Sequence, residues 1–278
     1  MAPVAVITTL YRSDALDLFE LAIASIEAQD YPDEIRIYLC VDGPLPAGHD
    51  SWLERNRDRF YLIERNPENL GLALSLNRLI DRLGDEALVF RMDGDDISLP
   101  GRFSAQAAWM EAHPGLGLIG CQVEDIDNDG AVIGLRRFPV EPAKLRQALA
   151  RVTPVLHPSF CIRREVLRDP ALRYPNAYLC EDLALLVTLN RAGIGLGNHP
   201  EVLFQWRLGA QFFARRRDPK RGWSEMRWYF RALADTGSVL SPAAIYPIAR
   251  FVFRILPSPL ARMIYRSSLR GRVIDVGD

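Results

Sequence analysis

Residues 91–100 read RMDGDDISLP and set Asp93, Asp95 and Asp96 within four consecutive positions. Carboxylates this close raise one another's pKa unless a cation neutralises them. Three readings compete. A solvated turn favours Asp and Gly, and Asp96 is a residue type that caps a following helix. The third reading is a site for a hard divalent cation with oxygen ligands, Mg2+ or Mn2+, which would also hold a nucleotide diphosphate. The apolar run ALVF at 87–90, immediately before the cluster, has the look of a buried strand and favours the third reading. A second acidic stretch, DIDNDG at 125–130, matches the opening of a calcium loop. Its twelfth position is Arg136, where a bidentate Glu is required, so it is expected to be a hairpin turn. No GxGxxG follows the first apolar run and no GxxxxGK[ST] occurs, so nicotinamide-cofactor and P-loop chemistry lack their phosphate cradle.

Such a cluster has to be carried by regular elements. PVAVITTL (3–10), IRIYLCV (35–41), FYLIER (60–65) and ALVF read as strands. Helical stretches separate them. In the first, started by Ser13 or Asp14, Leu16, Phe19, Ile23 and Ile26 share a face; a second lies near 50–59; in the third, Leu72, Leu76, Leu79, Ile80 and Leu83 share a face. This alternation predicts an α/β class: a Rossmann-like, mostly parallel sheet with helices on both faces. Ligands of open sheets gather at the carboxyl ends of the strands, and Thr9, Tyr11, Asp42 and the Asp93 cluster each follow such an end. Beyond residue 100 the pattern changes. A helix opening at Pro100 is expected, then a hairpin of LGLIGCQVEDI with AVIGLRRF, a helix near 142–150, a strand at 159–163 and a helix from about Glu181 to Arg191.

At 278 residues, 49% of them hydrophobic and 25% charged, the chain can bury about three-quarters of its surface. The N-terminus reads as a first strand rather than a signal peptide, and no apolar run reaches the roughly 18 residues of a membrane span. Cys40, Cys121, Cys161 and Cys180 lie far apart among apolar neighbours, which points to reduced core cysteines in a cytoplasmic protein. The net charge of -1 is unevenly spread: residues 211–278 hold 13 Lys and Arg against 5 Asp and Glu, a surplus of 8. The expected division is a domain at 1–210, which carries the candidate site, and a basic, helical C-terminal extension at 211–278.

Taken in order, VITTLYRSD, LCVDG, NLGLALSLNRLI, RMDGDDISLPGRF, HPSFCIRR and CEDLALLVTL resemble the family 2 glycosyltransferases, inverting enzymes of the GT-A fold, over roughly residues 3–207. The resemblance implies transfer of a sugar from a UDP-, GDP- or dTDP-linked donor to a hydroxyl of a glycan or lipid-linked acceptor, with a divalent metal. By the same resemblance Thr9, Tyr11 and Asp42 hold the nucleoside, Asp42 at the base, and the stretch Asn69 to Gly71 closes over the nucleotide. Asp93 and Asp95 match the D-x-D element for ribose and metal, with Asp96 a further ligand or a structural partner of an Arg. Glu181 and Asp182 match the acidic pair that includes the general base, Asp182 first by motif position and Glu181 second. Each has a plainer counterpart: strand-end packing for Thr9 and Tyr11, helix capping at 69–71, and the preference of acids for a helix N-terminus. His157 is expected to be structural, with metal or phosphate contact as the alternative. Gln205-Trp206-Arg207 occupies the place of an aromatic-Arg pair near the diphosphate, and the Gln departs from that pattern, as does Thr9 where many relatives have Pro.

In IYPIARFVFRILPSPLARMIYRSSLRGR (245–272), Arg250, Arg254, Arg262, Arg266 and Arg270 recur at multiples of four, interrupted by Pro257 and Pro259. Helices resting on anionic lipid and a hairpin packed on the core both suit this pattern. No nucleic-acid recognition motif accompanies the charge. The expected protein is a cytoplasmic glycosyltransferase, peripheral on the inner face of the cell membrane, that builds a surface polysaccharide. Two rivals are a metal-dependent nucleotidyltransferase and a non-catalytic membrane adaptor of the same fold.

Overall fold

The computed structural model describes residues 2–208 and 218–255. β1 (Val4–Leu10), β2 (Ile35–Asp42), β3 (Leu62–Asn66) and β4 (Leu88–Arg91) pair in parallel, in the spatial order β3-β2-β1-β4. The crossovers contain α1 (Leu16–Glu27), α2 (Ala47–Arg55) and α3 (Leu72–Ile80). Successive strand residues point to opposite faces, so the apolar run of β1 feeds two cores. Ala5 and Ile7 pack with Leu76, Leu79 and Ile80 of α3, while Val4, Val6 and Leu10 pack with Phe19, Ile23 and Ile26 of α1. The start of α1 differs from expectation. Ala15 is its N-cap, without a side-chain bond, and Asp14 instead accepts the backbone N–H of Tyr11 at 2.7 Å, closing the turn after β1.

The chain continues through β5 (Ile97–Ser98), α4 (Arg102–Ala112), β6 (Leu116–Ile126), β7 (Val132–Arg136), α5 (Pro142–Leu149), β8 (Cys161–Arg163), α6 (Arg164–Leu167), α7 (Glu181–Arg191) and β9 (Gly195–Arg207). β8 joins β4 and β6, antiparallel to both; β9 runs parallel to β6 and carries the short β5 at the far edge. The sheet is therefore parallel around β1 and mixed beyond β4. The expected hairpin forms between β6 and β7, its turn held by Asp127 Oδ1, which accepts the N–H groups of Asp129 and Ala131. α4 begins at Arg102, two residues after Pro100, behind Gly101 at φ 80°. The four cysteines are buried and free.

α8 (Pro219–Asp235) is capped by Asp218, whose side chain accepts the N–H groups of Lys220 and Arg221, and it lends Tyr229 and Ala232 to the core that holds α7. α9 (Ile245–Ile255) packs on α8. Arg250 and Arg254 turn inward, the first onto the carbonyl of Arg151 and the second onto Glu225. Arg262, Arg266 and Arg270 lie outside the described residues. No described helix is long and apolar enough to cross a membrane.

Candidate active site

The site grows from the carboxyl ends of the parallel strands. Asp42, the last residue of β2, is buried, and its Oδ1 accepts the side-chain amide of Asn66 and the backbone N–H of Leu70, each at 2.8 Å. Its Oδ2 accepts the N–H of Gly71 at 3.0 Å. One carboxylate thus fastens the Asn69–Gly71 loop to the ends of β2 and β3, with Asn69 exposed at the rim. Gly43 makes this possible: its φ is +96°, and a Cβ there would come within 2.9 Å of the Asn69 nitrogen. Thr9 and Tyr11 stand half-buried at the end of β1. The acidic loop crosses that end, because a Cβ on Gly94 would lie 3.6 Å from the Thr9 carbonyl and only 2.7 Å from the Phe19 ring.

The three aspartates of this loop converge, each offering an oxygen within 4.8 Å of the others. Asp93 pairs with Arg91. Asp95 is the exposed member; loss of hydration against the loop, then the charges of Asp93 and Asp14, push its carboxyl up to about 6. Asp96 is fully buried. Its Oδ1 accepts the backbone N–H of Arg207 at 2.8 Å, while its Oδ2 has no hydrogen-bond partner. Burial first, then Asp95 and Asp93, raise it well above the usual carboxylate range. A buried oxygen without a donor, inside a cluster of oxygen ligands, fits a hard divalent cation.

Glu181 and Asp182 open α7. Burial, then the charge of Asp182, pushes Glu181 up to about 7 against the pull of Arg221 and Arg91. Asp182 is raised as well, by burial and then Glu225, against the N–H of Leu183 and Arg221. The charge of Arg91 is felt both by Glu181 and by the aspartate loop. Its guanidinium is fully buried, its field reaches Asp93, Asp96, Tyr174 and Glu181, and its Nε and Nη1 have no partner. Tyr174, also buried, feels Arg91, Asp182, Asp93 and Glu181 together. The structure therefore places Thr9, Tyr11, Asp42, Asn69, Gly71, Asp93 and Asp95 along one rim, and Tyr174 senses the charges of both that rim's Asp93 and the acidic pair. Sequence reasoning missed Arg91 and Tyr174, although Arg91 stands just two residues before the first aspartate.

His157 uses its Nε2 on the Tyr174 hydroxyl at 2.9 Å and packs edge-on against Phe160 and Tyr174. Burial, and then Arg91, hold it neutral well below its usual range. This is the structural role. Arg207 is spent on positioning too: its Nε donates to the Asp95 carbonyl at 2.7 Å and its Nη1 to the carbonyls of Asp127 and Asn128. It clamps the aspartate loop to the β6–β7 turn. Gln205 bonds Glu124, and Arg136 lies over the Trp206 ring, 4.5 Å from its centre. Ahead of the acidic pair, Leu179 is the one described non-glycine residue at positive φ, 51°.

The model of the family "Glycosyl transferase family 2" matches residues 5–169, more than half of the chain. The amylovoran biosynthesis glycosyltransferase AmsE of Erwinia amylovora is 28% identical over 271 residues, covering 96% of this chain and 99% of its own. The Escherichia coli UDP-Gal:alpha-D-GlcNAc-diphosphoundecaprenol beta-1,3-galactosyltransferase is 26% identical over 270 residues, covering 95% and 96%. Among solved structures, S. aureus TarS 1-349 superposes with a TM-score of 0.65 at 14% identity, covering 99% of this chain and 75% of that one. The mannosyltransferase PcManGT from Pyrobaculum calidifontis, in complex with GDP-Man and Mn2+, superposes at 0.64 with 16% identity, covering 97% and 80%. These likenesses identify the sheet and its helices as the GT-A fold. The aspartate loop that ends β4 and the strand rim that carries it lie within the matched span, and the chain belongs to glycosyl transferase family 2.

Proposed function

We propose that this glycosyltransferase moves a sugar, with inversion, from a nucleotide diphosphate donor to a hydroxyl of a glycan or lipid-linked acceptor in surface polysaccharide synthesis at the inner face of the cell membrane. The observation that carries the reading is the convergence of Asp93, Asp95 and Asp96 at the rim that also holds Thr9, Tyr11 and Asp42. Asp42 and the loop it fastens hold the nucleoside, with Thr9 and Tyr11 beneath it. Asp93 and Asp95 hold Mg2+ or Mn2+, and the buried free oxygen of Asp96 supports that assignment. A cation there supplies charge neutralisation for the departing diphosphate.

In a single displacement the acceptor hydroxyl must lose its proton as it attacks from the face opposite the leaving group. Asp182 takes that proton on motif position. A second reading gives the role to Glu181, because its carboxyl is poised at about 7 and couples to Arg91 on the donor side. The names of two relatives, one an amylovoran biosynthesis enzyme and one acting on a diphosphoundecaprenol-linked sugar, support the polysaccharide setting.

The test is a screen of UDP-, GDP- and dTDP-sugars for Mn2+-dependent turnover. The expected product is the nucleoside diphosphate, and Asp95→Ala is expected to abolish turnover with the fold intact. Full activity in Asp95→Ala contradicts the metal assignment. Pyrophosphate release from a nucleoside triphosphate identifies the nucleotidyltransferase instead.

A further inference from the structure

The polarity of α9 is the reverse of an ordinary surface helix. Its arginines face the protein: Arg250 Nε donates to the Arg151 carbonyl at 3.0 Å and its guanidinium lies 5.3 Å from the Tyr229 ring centre, while Arg254 pairs with buried Glu225. Phe251 meets the ring of Trp223 edge-on. Its aliphatic residues face outward. Ile245, Ile248, Val252 and Ile255 are 64%, 48%, 43% and 47% exposed, and their spacings of 3, 4 and 3 place them in one stripe. Leu240, fully exposed, lies just before the helix, and the neighbouring α8 exposes Trp223, Arg227 and Arg231.

We propose that this aliphatic face of α9 is a lipid-contact surface that seats the enzyme on an anionic membrane. Charge selects the occupant. Residues 211–278 carry a surplus of 8 positive charges while the rest of the chain is acidic, so a second copy brought face to face would oppose like charges, whereas an anionic bilayer complements them. The stretch after Ile255 adds Arg262, Arg266, Arg270 and Arg272 against Asp275 and Asp278. Eleven helical residues extend only about 16 Å, against a hydrocarbon core of about 30 Å, so α9 lies along the interface with its stripe sunk among the acyl chains. Trp223, exposed and edge-on to Phe251 of α9, suits the headgroup layer. The choice of lipid as partner rests on the reading of a membrane-side transferase; the exposed stripe does not.

The experiment is co-sedimentation of the full chain with phosphatidylcholine vesicles, with and without phosphatidylglycerol. The wild type is expected to bind the anionic vesicles, the double variant Ile248→Asp, Val252→Asp to lose that binding by roughly tenfold or more, and the control Ile133→Asp on β7 to keep it. Equal binding by the Ile248/Val252 variant, or no binding by the wild type, overturns the proposal. A wild-type dimer that this variant converts to a monomer overturns it in favour of a second copy. Vesicle binding needs no turnover and sugar-nucleotide hydrolysis in solution needs no vesicle, so failure of this surface and failure of the transferase reading are separately visible.

Discussion

Glu181 is a carboxyl whose folded environment resists ionisation, and its pH behaviour follows from that. Its folded pKa of about 7 lies above the ordinary 4.5. Well below 4.5 both folded and unfolded chains carry the proton and nothing is lost; from 4.5 to about 7 only the unfolded chain ionises, so stability falls across that window and levels off above it. Glu181→Gln should therefore stabilise the fold by about 1–3 kcal/mol at pH 8 and by nothing at about pH 3, measured by denaturant midpoints at the two pH values. If Glu181 is the base, the acid limb of kcat/KM sits near 7 and disappears in this variant; if Asp182 is, the limb survives Glu181→Gln and activity is lost in Asp182→Asn. Leu179 gives a second stability test. A leucine at φ 51° is strained where glycine is not, so Leu179→Gly is expected to cost nothing or to stabilise by about 1 kcal/mol, against the usual loss on introducing glycine. The aspartate cluster stood out as residue types at close spacing, while the acidic pair was singled out only through its resemblance to the family motif. Arg91 and Tyr174 were not, because their importance lies in burial and in facing two motifs that are distant in sequence.

The loops that carry these residues depend on two fastenings. Asp42 holds the Asn69–Gly71 loop, and Gly43 gives that loop room to pass. Gly43→Ala should cost about 2–3 kcal/mol and weaken nucleotide binding more than metal binding, since both the positive φ and the 2.9 Å approach are lost to a methyl group. Arg207 holds the aspartate loop against the β6–β7 turn. Arg207→Met removes three charge-assisted bonds to backbone carbonyls, of which Asp127's keeps the N–H of Gly130, and should cost about 1–3 kcal/mol while lowering Mn2+ affinity, read by calorimetry on the folded variant. α1 and α3 were readable because their apolar positions recur at helical spacing, and the hairpin from its Asp-Asn-Asp-Gly turn. β9 was not. Gly195, Gly197, Asn198 and Pro200 break any alternation, and the segment becomes a strand only against β6, where Gly195 approaches the Gly115 carbonyl too closely to admit a Cβ. The inward turn of Arg250 and Arg254 was equally hidden, since their spacing marks a face without saying which way it looks.

The charge of the molecule as a whole is uneven, acidic over residues 1–210 and basic beyond, and the parallel half of its sheet collects four strand ends on one rim. Everything functional in this account rests on the aspartate loop at that rim holding a cation that in turn holds a donor's diphosphate. The direct measurement is calorimetric titration of UDP and GDP into wild type and Asp95→Ala, with and without Mn2+. Mn2+ is expected to tighten binding of one nucleoside diphosphate by tenfold or more in the wild type, about 1.4 kcal/mol, and not at all in Asp95→Ala. Equal nucleotide affinity with and without Mn2+ in the wild type, or a metal effect that survives in Asp95→Ala, would contradict it.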